Sequence, residues 1–150
     1  DPEVLIEEYI HGREFTCGVI EKKVNGVTEV SALPATEIIP NPEYIFFNYE
    51  AKYKAGASQE ITPAQVSEHL AKEIQEMAVK SHRILGCKDY SRSDFLVKNG
   101  KVYILELNTL PGLTETSLIP KSLKTAGWSI KRFLSNVCFR NVRQDEVQKA

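Results

Sequence analysis

The fold of this chain is decided by residues 91–108, which read SRSDFLVKNGKVYILELN. Two runs rich in branched and aromatic residues, 92–97 and 101–108, flank the dipeptide Asn99-Gly100. Such runs predict strands, and Asn-Gly tolerates the positive φ angles that a tight turn requires. The stretch therefore predicts an antiparallel β-hairpin.

Four polar residues interrupt the apolar pattern of this hairpin, Arg92 and Asp94 on its first strand and Glu106 and Asn108 on its second. Residues two apart project from the same face of a strand, so each pair shares one face. A two-residue turn would put Asp94 and Glu106 on opposite faces of the sheet, whereas a three-residue turn, 98–100, places Arg92 opposite Glu106. We expect the three-residue turn, which also leaves one continuous apolar face formed by Phe95, Val97, Tyr103, Leu105 and Leu107.

In this register the hairpin presents a cluster of oxygen ligands made of Asp94, Glu106 and Asn108. Mg²⁺ prefers such hard ligands and is often bound through one or two carboxylates together with substrate phosphates. The alternative is an ordinary ion pair between Arg92 and Glu106 on an exposed face of the sheet. Spacing alone leaves both interpretations open.

Toward the N-terminus, apolar and β-branched segments predict four further strands, at 4–10, 15–22, 27–33 and 36–39. Asn25-Gly26 predicts a second tight turn. Residues 40–61 show no helical period, and this length of irregular chain is typical of a binding loop or lid.

A helix is predicted after this loop, because 62–65, Thr-Pro-Ala-Gln, has the pattern of a capping box with Pro at the first helical position. Gly86 is placed to end this helix, and a final helix is predicted at 129–141. Helices flanking a mostly antiparallel β-sheet predict an α+β fold. The first helix has its apolar residues at helical spacing, namely Val66, Leu70, Ile74, Met77, Ala78 and Leu85.

The composition excludes several classes of protein. With 150 residues, 42% hydrophobic and 26% charged, the chain matches one globular domain. No apolar run reaches the roughly 20 residues of a membrane span, and a net charge of -1 provides no positive field for nucleic acid.

The histidines lack triad or metal-ligand spacing and are interpreted as structural or solvated. The three cysteines, Cys17, Cys87 and Cys138, lack disulfide or zinc-site spacing and fit a reducing cytoplasm.

Four stretches of the chain form a specific combination: VLIEEYIHGREF at 4–15, FNYEAKY at 47–53, LGC leading to SRSDF within 85–95, and LELNTLPGLTETSL at 105–118. Together and in this order they closely resemble the C-terminal portion of D-alanine–D-alanine ligases, members of the ATP-grasp superfamily. The resemblance implies that residues 1–135 form an ATP-grasp C-terminal domain. Residues 136–150 would be a polar extension prone to fraying.

The resemblance implies an ATP site at the start of the chain. Glu7 and Glu8, with the backbone of Tyr9 and Ile10, would hold the adenine, and Glu14 would hold the ribose hydroxyls. A strand edge offers paired donors and acceptors that suit a purine, and a carboxylate can accept hydrogen bonds from two hydroxyl groups.

The resemblance further implies that Asp94, Glu106 and Asn108 bind two magnesium ions, or manganese in their place, which bridge the ATP phosphates. Arg92 and the backbone amide of Gly112 would bind the substrate and stabilise the negative charge of the tetrahedral intermediate. The alternative role of Arg92 is a structural partner of Glu106.

Further positions of the motifs carry roles by the same resemblance. Ser117 and Leu118 would grip the carboxylate of the second D-alanine through a hydroxyl and a backbone N–H. Lys52 and Tyr53 match a mobile loop, in which the lysine approaches the γ-phosphate of ATP and the tyrosine closes the site over the intermediate. Tyr53 favours a dipeptide product over D-alanyl-D-lactate. Asp89 stands where the family often has glycine.

The implied activity is that of an enzyme, an ATP-dependent carbon–nitrogen ligase. It phosphorylates the carboxylate of one D-alanine, and the amine of a second D-alanine attacks the acyl phosphate, which gives D-alanyl-D-alanine for peptidoglycan. The chain corresponds to about the C-terminal half of such an enzyme. By itself it is not expected to catalyse ligation, because the first D-alanine and the phosphate-covering loop belong to the N-terminal half.

Other functions stay open at this point. One is an ATP-grasp ligase that joins another carboxylate and amine, or a D-alanine–D-lactate type ligase. Another is a non-catalytic nucleotide-binding remnant. The expected partners are D-alanine, ATP and the N-terminal half, and apolar surface left uncovered by that half would also favour a homodimer.

Overall fold

Six strands and three helices make up the residues that this computed structural model describes, 3–40 and 58–140. In chain order they are β1 (Arg13–Val24), β2 (Val27–Ala32), β3 (Thr36–Pro40), β4 (Ser58–Ile61), α1 (Glu68–Ile84), β5 (Tyr90–Lys98), β6 (Lys101–Asn108), α2 (Leu118–Thr125) and α3 (Ile130–Arg140).

The described strands form one antiparallel sheet in the order β4-β3-β1-β5-β6, with β2 also paired to β1. Residues 13–20 of the 12-residue strand β1 pair with β5 along one edge, while the other edge of β1 pairs first with β3 and then with β2. Asn25 and Gly26 form the β1–β2 turn with φ angles of 52° and 81°, as Asn-Gly predicts. The predicted α+β fold with a mostly antiparallel sheet is confirmed.

Each face of the sheet packs against different helices. On one face α1 inserts Ile74 against Phe15 and Phe95 of the sheet. On the opposite face α2 and α3 cover one end, and Gly18 lets α2 lie close, because a Cβ there would stand 2.6 Å from Ile119 Cδ1. The polar residues of the candidate site lie on the rest of this second face. The second core consists of Ile20, Leu33, Ile119, Leu123 and Phe133.

Residues 4–10 do not form the predicted strand. The segment is irregular, and Val4, Leu5 and Ile6 are 82%, 83% and 88% exposed. A strand needs a neighbour to satisfy its backbone N–H and C=O groups, and no strand of the described sheet runs beside this segment. The apolar pattern of residues 4–10 therefore does not correspond to a strand.

The first helix begins at Glu68, later than the predicted start at Thr62. Ser67 is its N-cap, and Ser67 Oγ accepts a hydrogen bond from a backbone N–H of the first turn at 3.3 Å. The hydroxyl of Thr62 lies instead 2.6 Å from that of Thr36, which ties it to the sheet. The predicted end of the helix is confirmed, since Gly86 follows it with a φ of 64°.

Two elements escape prediction from the sequence. Strand β4 occupies 58–61, the end of the predicted loop, and residues 41–57 of that loop lie outside the described residues. Helix α2 contains Pro120 among Ser and Thr residues, a composition typical of turns. Pro is tolerated there because the N–H groups of the first helical turn have no acceptor within the helix.

The last predicted helix is confirmed as α3, which runs to Arg140. The predicted domain boundary at 135 therefore falls within this helix, and residues 141–150 lie outside the described part. None of the described helices is long and apolar enough to cross a membrane.

Ser93 provides a test of the packing between α1 and the sheet. Within 3–40 and 58–140, its hydroxyl oxygen is the one fully buried side-chain nitrogen or oxygen without a hydrogen-bond partner. An unpaired buried polar group costs about 1–3 kcal/mol, so Ser93→Ala is expected to raise the free energy of unfolding, measured in urea, by about 1 kcal/mol. The matched control is Ser91→Ala, which removes a hydroxyl 2.7 Å from His82 Nδ1 and should lower it. A lower stability in both variants would contradict the prediction.

Candidate active site on the β5–β6 hairpin

The turn of the hairpin differs from the prediction. Lys98 pairs with Lys101, so the turn contains two residues, Asn99 and Gly100, with φ angles of 53° and 76°. Positive φ at both central positions defines the turn whose twist matches that of the flanking strands, which is why Asn-Gly favours it. The predicted three-residue turn is wrong.

A β-bulge in β6 restores the arrangement that the turn alone would have lost. Phe95 pairs with Ile104, but Asp94 pairs with Glu106, which leaves Leu105 as the extra residue. The register shift returns Asp94 and Glu106 to one face, and it places Arg92 opposite Asn108.

The predicted apolar face of the hairpin is therefore right for Phe95, Val97 and Leu107 and wrong for Tyr103 and Leu105. Phe95 and Val97 are buried as expected, but Val102, rather than Tyr103, joins them in the core. Leu105 is 53% exposed, because the bulge removes it from the regular alternation of the strand.

Arg92 and Asp94 form a bidentate ion pair. Arg92 Nε lies 2.9 Å from Asp94 Oδ1, and Arg92 Nη2 lies 2.9 Å from Asp94 Oδ2. The expected alternative, an ion pair of Arg92 with Glu106, is thus replaced by a pair within one strand. The two side chains are only 19% and 16% exposed, so water screens this pair less than a surface pair.

The electrostatics of Arg92 link three carboxylates. Partial burial lowers the pKa of Arg92, but the hydrogen bond to Asp94 and the negative charges of Asp94, Glu106 and Glu14 outweigh burial and raise it overall. Glu14 lies on β1 opposite Leu96, so it belongs to the same face. Arg92 is therefore a fully charged group surrounded by acidic side chains.

Asp94, Glu106 and Asn108 offer two carboxylates and an amide oxygen on one face. Asn108 Oδ1 accepts a hydrogen bond from Leu110 N at 3.0 Å, but a carbonyl oxygen has a second lone pair for another partner. No cluster of three or more His, Cys, Asp and Glu side chains suited to a metal occurs among the residues that the structure describes. The set fits a cation such as Mg²⁺, which binds through one or two carboxylates and keeps water or phosphate oxygens.

The segment after β6 brings Gly112 and Ser117 together at the start of α2. A Cβ at Gly112 would stand 2.9 Å from Ser117 Oγ, so a larger residue there would displace the Ser117 hydroxyl. Ser117 Oγ lies 2.7 Å from Thr114 Oγ1 and does not cap the helix. The first N–H groups of a helix, including that of Leu118, lack acceptors within the helix and suit an anionic group.

The proposed adenine residues lie in the irregular N-terminal segment. Glu7, Glu8 and Tyr9 are exposed and Ile10 is half-buried. Gly12 follows them and passes tightly against β5, where a Cβ would stand 2.6 Å from the carbonyl oxygen of Val97. The structure thus brings the end of this segment to the hairpin.

Two further predicted residues, Lys52 and Tyr53, lie outside the described residues. Of the remaining predicted positions, Glu14 shares the sheet face of Arg92, as do Asp94, Glu106 and Asn108. Sequence reasoning missed Thr16, whose Oγ1 lies 2.5 Å from Asp94 Oδ1. Its two-residue spacing from Glu14 on β1 was the available signal.

A second polar cluster is structural. Ser91 Oγ, His82 and Glu21 Oε1 form a row through contacts of 2.7 and 3.4 Å, an order similar to a hydrolase triad. Ser91 and His82 are fully buried, so a substrate cannot reach them. The interpretation of His82 as structural is confirmed. Glu21 also accepts a hydrogen bond from the backbone of Asp89, whose φ of 65° favours glycine at that position.

Comparison with known proteins identifies the family. The model of the family described as D-ala D-ala ligase C-terminus matches residues 1–138. The chain belongs to this family. The D-alanine–D-alanine ligase of Leptospira interrogans is 50% identical over 137 residues, which are 91% of this chain and 38% of that protein. The ligase of Desulfotalea psychrophila is 42% identical over 147 residues, 97% of this chain and 44% of that protein.

Solved structures agree with this ligase family. The D-alanine–D-alanine ligase of Bacillus anthracis matches with a TM-score of 0.69 and 33% identity, over 88% of this chain and 40% of that one. The VanG D-Ala:D-Ser ligase of Enterococcus faecalis matches with a TM-score of 0.73 and 29% identity, over 90% of this chain and 38% of that one. The chain thus spans less than half the length of these relatives.

Proposed function

We propose that this chain is the C-terminal part of an ATP-dependent ligase that joins two D-alanines into D-alanyl-D-alanine for peptidoglycan. The observation that carries the proposal is the single sheet face shared by Arg92, Asp94, Glu106 and Asn108 in a chain of this family. Two carboxylates that can bind a cation, beside a fixed guanidinium, suit the transfer of a phosphoryl group to a substrate carboxylate.

The nucleotide would lie between the N-terminal segment and the hairpin. Glu7 and Glu8, with the backbone of Tyr9 and Ile10, would bind the adenine, and Glu14 would bind the ribose. The position of Glu14 near Arg92 supports this placement of adenine and ribose. Glu14 lies between the irregular N-terminal segment and the acidic residues of the hairpin, so the phosphates would extend toward the hairpin. A Bacillus anthracis ligase of the same family was solved in complex with ATP.

The phosphates would lie over the hairpin. Asp94, Glu106 and Asn108 would hold one or two Mg²⁺ or Mn²⁺ ions, which when bound neutralise the phosphates and orient them. Lys52, in the undescribed segment, would approach the γ-phosphate. Two anionic groups would then compete for the guanidinium of Arg92, namely the Asp94 carboxylate and the reacting substrate.

The second substrate would lie at the start of α2. The hydroxyl of Ser117 and the N–H of Leu118 would bind its carboxylate, and the N–H of Gly112 would act with Arg92 on the charge of the tetrahedral intermediate formed from the acyl phosphate. Tyr53 would close the site. The N-terminal portion of the relatives, which this chain does not span, would supply the site for the first D-alanine. The three free cysteines support a cytoplasmic location, and a homodimer stays a prediction.

The similarity to the VanG D-Ala:D-Ser ligase raises D-serine as a second acceptor. The groups proposed to bind the second amino acid, a hydroxyl and backbone N–H groups, would recognise its carboxylate and would not distinguish D-alanine from D-serine. Product analysis with both acceptors in competition would separate these functions.

Nucleotide binding tests the proposal directly. Mg²⁺ with ADP at about 100 times its dissociation constant should stabilise the chain by about 2.7 kcal/mol, seen as a rise in Tm. Asp94→Asn should abolish the magnesium-dependent part of the rise. Glu76→Gln on the outer surface of α1 is the matched control and should retain it. An unchanged Tm of the wild-type chain on addition of Mg²⁺-ADP would contradict the proposed nucleotide site.

A further inference from the structure

Thr16 lies beside Asp94 on the neighbouring strand. The two residues are directly paired between β1 and β5, and Thr16 Oγ1 lies 2.5 Å from Asp94 Oδ1. The next acceptor for this hydroxyl, the carbonyl oxygen of Ser93, is more distant at 3.3 Å. A hydroxyl has one proton to donate, so the shorter contact identifies Asp94 as its acceptor.

Two different groups therefore orient the Asp94 carboxylate. Arg92 contacts both of its oxygens, and Thr16 contacts Oδ1. In the proposed function Arg92 also serves the reacting substrate, and a guanidinium that turns toward the substrate no longer fixes the carboxylate. Thr16 is the donor that would stay.

Thr16 is built to keep its position. It is 2% exposed, and its strand is flanked by a paired strand on each side at this point, with Thr36 of β3 opposite it on one side and Asp94 of β5 on the other. A β-branched side chain in a strand has few rotamers, so the hydroxyl cannot follow a moving partner. The carboxylate must adjust to Thr16, and not the reverse.

We propose that Thr16 is a positioning residue for the proposed cation site, which holds the Asp94 carboxylate on the face of Glu106 when Arg92 leaves it. The inference rests on the proposed function of Asp94 as a ligand. The hydroxyl donates to one oxygen of the carboxylate and leaves its other lone pairs for a cation. Groups in this position commonly change metal affinity by about 10- to 100-fold when removed.

Binding of Mn²⁺ to the chain in the presence of ADP, measured from the EPR signal of the free ion, tests this proposal. Thr16→Val keeps the shape of the side chain and removes the donor, and it should weaken Mn²⁺ binding about 10-fold or more. Thr16→Ser keeps the donor but loses the branch that restricts its rotamers, so it should bind Mn²⁺ more tightly than Thr16→Val and less tightly than the wild type. Urea unfolding of each variant checks that the fold is retained.

Thr36→Val is the matched control. Thr36 is equally buried and faces Thr16 across the β1–β3 pair, but its hydroxyl contacts those of Thr62 and Ser122. Its loss should leave Mn²⁺ affinity unchanged. Wild-type affinity in Thr16→Val, or equal weakening in Thr36→Val, would overturn the role of Thr16 alone. Absence of Mn²⁺ binding in the wild-type chain would overturn the proposed cation site, and the role of Thr16 with it.

Discussion

Arg92→Lys is expected to lower kcat for D-alanyl-D-alanine synthesis by about 10²- to 10³-fold, the usual effect of losing a donor to a developing negative charge. The assay requires a complete ligase. A suitable one joins the N-terminal portion of the Leptospira interrogans ligase to this chain, because the two proteins are 50% identical over the shared region. Release of phosphate and formation of the dipeptide are measured together.

The expected loss follows from the geometry of the guanidinium. Arg92 makes two parallel hydrogen bonds to Asp94, and the negative charges of Glu106 and Glu14 act on it as well. Lysine keeps the charge but has no planar fork, so it can neither reproduce both contacts to Asp94 nor present a pair of parallel donors to a substrate. Because the proposed contact of Arg92 with the substrate would form in the reacting state, we expect the effect in kcat more than in KM.

Arg13→Lys is the matched control. Arg13 forms an equivalent bidentate pair with Glu37, through contacts of 2.7 and 2.8 Å, and takes no part in the proposed site. It should leave kcat unchanged. A kcat for Arg92→Lys within threefold of the wild type would contradict the catalytic role of Arg92, and equal losses in both variants would indicate a general effect of weakened ion pairs.

Much of the sheet could be predicted from the sequence because its signals are local. Asn25-Gly26 and Asn99-Gly100 both form the turns that their positive φ angles favour, and the strands on either side follow. The failures have non-local causes. Residues 4–10 have the pattern of a strand without a neighbouring strand in the described sheet, and Thr62 has the pattern of a cap but contacts Thr36 instead.

The site shows the same division. The residues of the site could be identified from the resemblance of the motifs, but the sequence could not show how Asp94 and Glu106 reach the same face of the sheet. We predicted a three-residue turn, whereas the chain has a two-residue turn and a bulge at Leu105. A bulge depends on how a strand fits its neighbours and leaves no reliable mark in the composition of β6. Thr16 was missed for a similar reason, since its partner lies on another strand.

Cys17 is expected to make the folded chain sensitive to high pH. The thiol is completely buried, and this burial raises its pKa to about 12. In the unfolded chain the thiol ionises near pH 8.5, the ordinary value for cysteine. Between these pH values the unfolded state loses a proton that the folded state retains, so the free energy of unfolding falls as the pH rises.

The slope should be about 1.4 kcal/mol for each pH unit above the unfolded value, because one unit of pKa difference corresponds to that free energy. Stability from this group is fully present below about pH 8 and is lost progressively toward pH 12. Urea unfolding at pH 8 and pH 10 measures the change, and Cys17→Ala isolates it from the titration of other groups. The variant is less stable at both pH values because it leaves a cavity among Phe15, Phe95 and their neighbours. It should nevertheless lose less stability than the wild type between pH 8 and pH 10, and equal losses in the two proteins would show that Cys17 does not carry the effect.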